Sequence, residues 1–206
     1  SNQITLPFDL RVDSAQLVFL IGKNGSGKST LLRTLANIQE PLNGDICFVE
    51  KKYSTYSKLA LSKLISFVPS YRTHYQDVSV LDFVLLGRYP YTNWLGINQE
   101  DDIKVAVKAL NDCNIFDLQQ RKLYSLSDGE YQKTAIARAI VQNTNCILLD
   151  EPTSHLDING RLETIQLLKS ICTKYSNSAK CQVSCVMLQG PNMSCFRRDK
   201  WSPRAQ

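Results

Sequence analysis

Apolar residues recur along this chain with two different periods. Ile4, Leu6, Phe8, Leu10 and Val12 alternate with Thr5, Pro7, Asp9, Arg11 and Asp13. A period of two predicts a strand with one buried face, and Pro7 suggests an edge position. Residues 17–21 form an unbroken apolar run. That pattern suits a strand in the middle of a parallel sheet, covered on both sides. Residues 31–36 then repeat apolar positions at helical spacing. Pro41-Leu42-Asn43-Gly44 reads as a turn. Residues 46–49 read as a short strand, and residues 64–68 as a buried strand stopped by Pro69.

From about residue 71 to residue 124 the texture becomes mainly helical. Ser79 and Asp82 predict a capped helix start, and Gly87 a helix end. Asn98, followed by Glu100, Asp101 and Asp102, predicts a second helix with an acidic first turn. Its apolar stripe is Ile103, Ala106, Val107 and Leu110. Ser127 and Glu130 form another capping box, and the helix they open runs through Ile136, Ala137, Ala139 and Ile140. Residues 146–149 make an apolar strand ending in Asp150-Glu151-Pro152. Residues 183–188 read as the next core strand. The expected organisation is therefore an α/β core over 1–70 and 125–206, interrupted by a helical subdomain over 71–124.

Between the first buried strand and its helix lies Gly22-Lys23-Asn24-Gly25-Ser26-Gly27-Lys28-Ser29-Thr30. It fits G-x-x-x-x-G-K-[ST], the phosphate-binding loop, in the strand–loop–helix context that motif requires. Its glycines let successive backbone N–H groups turn toward one anion, and the helix N-terminus adds partial positive charge. Lys28 is expected at the β- and γ-phosphates, Ser29 on Mg²⁺ and Thr30 beside the α-phosphate. Asp150 and Glu151 end a buried strand, where α/β sheets place their ligands. Asp150 is expected to hold the metal opposite Ser29, and Glu151 to polarise an attacking water.

Composition narrows the setting. Twenty-four basic and 19 acidic residues give +5, which fits nucleic acid or a phosphate-handling surface. The longest apolar runs, such as 80–86 with Asp82 inside it, are too short to span a bilayer. The first residues do not read as a secretion signal. Seven cysteines without a C-x-x-C pair favour neither zinc nor a disulfide framework, and a reduced cytosolic setting is expected.

Over about residues 4–175 the chain resembles the ATP-binding subunits of ABC transporters. The likeness rests on residues 22–30, on Leu126-Ser127-Asp128-Gly129-Glu130, on Leu148-Leu149-Asp150-Glu151-Pro152-Thr153, and on Ser154-His155-Leu156-Asp157, which looks like the family's D-loop. The resemblance implies a P-loop NTPase core of RecA-like type: a mainly parallel sheet, an antiparallel β edge and an inserted helical subdomain. It implies ATP and Mg²⁺, with Gly22, Asn24, Gly25, Ser26, Gly27, Lys28, Ser29 and Thr30 on the nucleotide. Ser29 and Asp150 would hold the metal, and Lys28 and Glu151 would serve catalysis. A head-to-tail homodimer would present Ser127 and Gly129 to the partner's nucleotide. A transmembrane permease is the other implied partner, with the chain peripheral on the cytoplasmic face of the plasma membrane and no nucleic acid bound. Residues 84–91 look like importers of iron–siderophore, haem or cobalamin complexes.

The chain also departs from the pattern. Asp128 stands where the signature has glycine, and Ser70 where the family has a glutamine. The only histidines are His74 and His155, so none follows the last strand, where the family has its switch histidine. Three readings stay open: a transport ATPase, a nucleotide-binding module impaired in turnover, and an ABC ATPase not coupled to transport.

Overall fold

The structure, a computed structural model, describes residues 11–13, 16–23, 25–41, 43–48, 51–73, 75–92, 96–176 and 184–189. The strand expected over residues 4–12 lies outside them except for its last two residues. Asn24, Val49 and the chain from residue 190 onward also lie outside.

Strand β1 (Leu17–Ile21) leads through the glycine loop into α1 (Lys28–Leu35). Strands β2 (Cys47–Phe48) and β3 (Lys51–Lys52) form a small antiparallel ladder. Helix α2 (Lys58–Ser62) starts at Ser57, whose hydroxyl accepts from the Ala60 N–H at 3.1 Å, and leads to β4 (Ile65–Val68). Three helices follow: α3 (Val80–Leu85), α4 (Glu100–Asp112) and α5 (Asp128–Val141). Strand β5 (Cys146–Leu149), α6 (Ile158–Ser176) and β6 (Ser184–Gln189) complete the described chain.

The main sheet runs β1-β6-β5-β4, with every neighbouring pair parallel. Alternation along each strand assigns side chains to opposite faces. Leu17 and Phe19 of β1, Val68 of β4, and Ile147 and Leu149 of β5 face a large cluster shared with α3 to α6. Val18 and Leu20, Ile65 and Phe67, and Leu148 face a smaller cluster around Leu32 of α1. The expected unbroken apolar run of β1 is thus explained by helices on both faces. The expected middle position is not: β1 stands at one end of the sheet among the described residues, and Ile21 is 66 % exposed.

Helix α5 is the hub, buried on nearly all sides, and the large cluster runs unbroken from α3 and α4 through it to β5 and α6. Its small residues Ala135, Ala137 and Ala139 let neighbours come close. Gly87, expected as a helix stop, sits in the 3-10 turn Leu86–Tyr91 that continues α3. A Cβ there would meet the Arg138 carbonyl oxygen of α5 at 2.2 Å. The glycine serves close approach, not a left-handed cap.

Two further expectations at α3 and α4 change. At α3 the Ser79 hydroxyl accepts from the Asp82 N–H at 3.1 Å, but the Asp82 carboxylate accepts from that same hydroxyl instead of completing a full capping box. Helix α4 is capped by Gln99, not Asn98, and the Asp102 carboxylate accepts from the Gln99 N–H at 2.9 Å. Its buried face is Asp102, Ala106, Ala109 and Leu110, while Ile103 is 43 % exposed. The stripe turns because Asp102 faces inward, toward a guanidinium described below.

Candidate nucleotide site

Because the sheet strands are parallel, β1 and β5 both end on its carboxyl edge. Ile21 is in register with Gln189 and Met187 with Leu149, so Gly22 and Asp150 leave the sheet side by side across β6. Open α/β sheets bind ligands on this edge. Gly25 and Gly27 carry φ of 78° and 85°, values open to glycine and strained for other residues. Gly27 is the N-cap of α1, and no side chain caps it. The first-turn N–H groups of Lys28, Ser29 and Thr30 have no intrahelical acceptor, which leaves them for an anion.

Lys28 folds back over the loop. Its Nζ donates to the carbonyls of Gly22 at 2.9 Å and Lys23 at 2.8 Å. Both are neutral acceptors, so neither bond offsets a charge at the mouth of the loop. The Ser29 hydroxyl donates to Asp150 Oδ1 at 3.0 Å, across 121 residues of chain. Asp150 is only 2 % exposed. A hydroxyl and a carboxylate oxygen at the end of a phosphate loop are the hard donors Mg²⁺ takes when phosphate and water complete its shell. The residues present fit Mg²⁺ and a nucleotide phosphate.

Glu151 has φ 48° and precedes Pro152, although a pre-proline residue prefers extended backbone. The conformation is held by Ser154, whose N–H and hydroxyl both donate to the Glu151 carbonyl at 3.1 Å. Such left-handed residues cost about 1–3 kcal/mol and gather at functional sites.

The second group of expected residues lies at the start of α5. The Ser127 hydroxyl accepts from the Glu130 N–H at 3.3 Å, and the Glu130 carboxylate accepts from the Ser127 N–H at 2.7 Å. The Ser127 N–H bond, outweighing burial, holds the Glu130 carboxyl below the ordinary carboxylate range, helped by the Ser127 hydroxyl and by Arg121 at 3.3 Å. Gly129 has no positive φ, and a Cβ there would find its nearest described neighbour, Leu156, at 3.9 Å. Nothing within the described fold requires glycine at that position. The hydrogen bonds of the described Ser127 go to Glu130 and not to the phosphate loop.

A family model described as ABC transporter matches residues 6–154. The chain belongs to the ABC transporter family. It is 37 % identical over 163 residues to the petrobactin import ATP-binding protein FpuC of Bacillus anthracis, covering 79 % of this chain and 60 % of that protein. The chain thus spans under two thirds of that relative's length. Among solved structures, a metal-chelate type ABC transporter in an inward-facing conformation superposes with a TM-score of 0.74 at 34 % identity, over 89 % of this chain and 66 % of that one. A dimeric ATP-binding cassette in a post-hydrolysis state, bound to ADP and Pi, superposes with a TM-score of 0.73 at 25 % identity, over 90 % and 80 % of the two chains.

In this ABC chain the residues that sequence reasoning missed are mostly arginines. Arg88, in the 3-10 turn after α3, is turned inward. It pairs with Asp102 at 2.7 Å, donates to the Val141 carbonyl at 2.9 Å and lies over the Tyr91 ring at 4.1 Å, with a side chain 14 % exposed. Burial pushes the Asp102 carboxyl up, but the Gln99 N–H and Arg88 outweigh it and hold the group below its ordinary range. Tyr89 remains 75 % exposed. Arg72 and Tyr131 join the segment after β4 to the start of α5, and no motif marks them. Burial pushes the Cys113 and Cys146 thiols up to about 12, so these are inert packing groups.

Proposed function

We propose that this chain is the ATP-binding and ATP-hydrolysing subunit of an ABC-type importer, for iron–siderophore, haem or cobalamin complexes. The observation that carries the reading is the Ser29–Asp150 bond beside Lys28. It joins the phosphate loop and the β5 carboxylate into one site for a magnesium nucleotide. The petrobactin-import name of one relative and the metal-chelate transporter among the solved structures support the substrate class. Among the described residues no helix is long and apolar enough to cross a membrane. In this reading membrane attachment comes through a permease docked on the helical subdomain, 71–124, from the cytoplasmic side. No nucleic acid enters this reading.

The chemistry follows from the residues. Lys28 and the uncapped N–H groups of α1 bind and orient the β- and γ-phosphates. Ser29 and Asp150 would hold Mg²⁺, which would supply charge neutralisation on the phosphate oxygens. Glu151 orients water and accepts its proton. In a head-to-tail pair, Ser127 and Gly129 of one subunit face the nucleotide of the other and stabilise charge as the phosphoryl group leaves. That no described residue requires glycine at 129 supports an approach from outside the chain, and the dimeric cassette with ADP and Pi supports the pairing.

Two sequence features favour the second reading, an impaired module. The chain has no histidine after His155, and Ser70 is too short to reach the metal and the permease as a glutamine does. Losing one donor to a transition-state oxygen costs on the order of 10²–10³ in rate. Phosphate release, measured with Glu151→Gln as the blank, decides between the readings. Turnover at or near the blank, with Mg-ATP still bound, makes the chain an impaired module; rates of about 1 s⁻¹ or more, within the ordinary enzyme range, make it an active ATPase.

A further inference from the structure

We infer that Arg72 is a positioning residue for the signature segment, acting through the start of α5 on the nucleotide of the partner subunit. The inference rests on the paired-subunit reading above. Arg72 follows β4 by four residues and reaches across to the turn that leads into α5. Its guanidinium donates to the Leu126 carbonyl at 3.0 Å and to the Leu123 carbonyl. It lies over the Tyr131 ring at 4.8 Å and within 3.5 Å of the Asp128 carboxylate. The Tyr131 hydroxyl accepts from the Thr73 N–H at 2.9 Å and contacts the Thr73 hydroxyl at 3.3 Å. Two consecutive residues of the post-β4 segment are thus bonded to residues on both sides of Ser127 and Gly129.

The geometry has two physical consequences. Leu123 and Leu126 flank the last turn before Ser127, so a planar guanidinium bridging their carbonyls sets where α5 begins. Asp128 places a negative charge in the first turn, which suits the helix dipole but opposes an incoming phosphate. Arg72 supplies a positive charge beside it. The departure from glycine at 128 and the arginine at 72 belong to one arrangement. Movement of the post-β4 segment is carried to Ser127 and Gly129 through these bonds, none of which involves a described residue of the chain's own phosphate loop.

The test separates this role from a structural one. In the Glu151→Gln chain, Mg-ATP affinity and ATP-dependent dimer formation are measured with and without Arg72→Ala. The expected result is monomer ATP affinity within about twofold and dimer affinity lower by about tenfold or more, the scale of a lost charged hydrogen bond. Arg72→Lys, which keeps the charge but not the two-carbonyl bridge, should fall between. Hydrogen exchange of the isolated chain should rise by about tenfold at residues 127–131 and stay unchanged at 25–30. Unchanged exchange at 127–131, or an equal loss of monomer ATP binding, overturns the inference. Failure of the parent to dimerise overturns the paired-subunit reading, while the exchange result still decides the position of Arg72. If Arg72→Ala does not fold, Arg72→Lys and Tyr131→Phe carry the same comparison.

Discussion

The phosphate loop and the helical region handle positive charge in opposite ways. Lys28 rests on two neutral carbonyls of its own loop, and the first turn of α1 has no side-chain cap. Each of those bonds exchanges for a phosphate oxygen at small net cost, because intramolecular and ligand hydrogen bonds are alike in kind. The arginines around α5 are committed. Arg88 has a carboxylate, a carbonyl and a ring; Arg138 has the Phe67 carbonyl at 3.4 Å and the Phe83 ring at 4.9 Å; Arg121 has Glu130 and the Ser125 carbonyl. A binding site needs donors that can change partners, whereas a packed helical region is held by donors that do not. Substitutions in the loop should therefore alter binding and spare stability, and substitutions among the arginines should do the reverse.

The largest effect is expected from Lys28→Ala. Loss of a charge-assisted phosphate contact, worth about 3 kcal/mol, should weaken Mg-ATP binding by about 100-fold. The melting temperature without nucleotide should stay within about 2 °C. Calorimetry and thermal unfolding on the same preparations check both halves, and a large stability loss would break the comparison.

Arg88→Ala should do the opposite. It leaves Asp102 without its partner and the end of α5 without a donor to the Val141 carbonyl. Breaking a largely buried pair costs about 3–5 kcal/mol, and partial exposure brings the expected value to about 2–3. Urea unfolding should register that loss, with Mg-ATP affinity of the folded protein unchanged within about twofold.

A smaller effect follows from pH. The Asp102 and Glu130 carboxyls are both held below their ordinary range in the folded chain. Groups lowered on folding stabilise at pH above the unfolded value, and that stability is lost as pH falls through the folded one. Unfolding free energy should thus fall below about pH 4.5, first around α4 and α5, and Arg88→Ala should flatten the part due to Asp102. Denaturant titrations between pH 7 and 3 test the sign.

The smallest expected change in stability is at Tyr89, which is 75 % exposed. Tyr89→Ala should shift stability by less than about 0.5 kcal/mol, as exposed positions do. If Tyr89 is an anchor on the permease, uptake in a reconstituted importer should fall by about tenfold. Unchanged uptake would remove Tyr89 from that interface. Tyr91 is less informative, because it is already engaged by Arg88 and by Lys63 at 5.1 Å.

Local physics made much of this chain legible from its residues. The phosphate loop could be read because strand, glycines, lysine and hydroxyl are consecutive, and each residue type answers one requirement of a bound anion. The Ser127–Glu130 box and the apolar β5 run into Asp150 were legible for the same reason, their causes lying within a few residues. Tertiary structure alone decided the rest. The register across β6 brings Gly22 and Asp150 together, and the Ser29–Asp150 bond spans 121 residues. Gly87 reads locally as a helix stop and is in fact the point where α5 comes within contact of the turn. Arg88 carries no local pattern and turns inward, because Asp102 on another helix meets it. Arg72 carries no pattern at all, since its partners lie 51 and 54 residues onward. A periodicity reports how a segment meets the core, but a single polar side chain has no period, and its partner is chosen only when the elements pack.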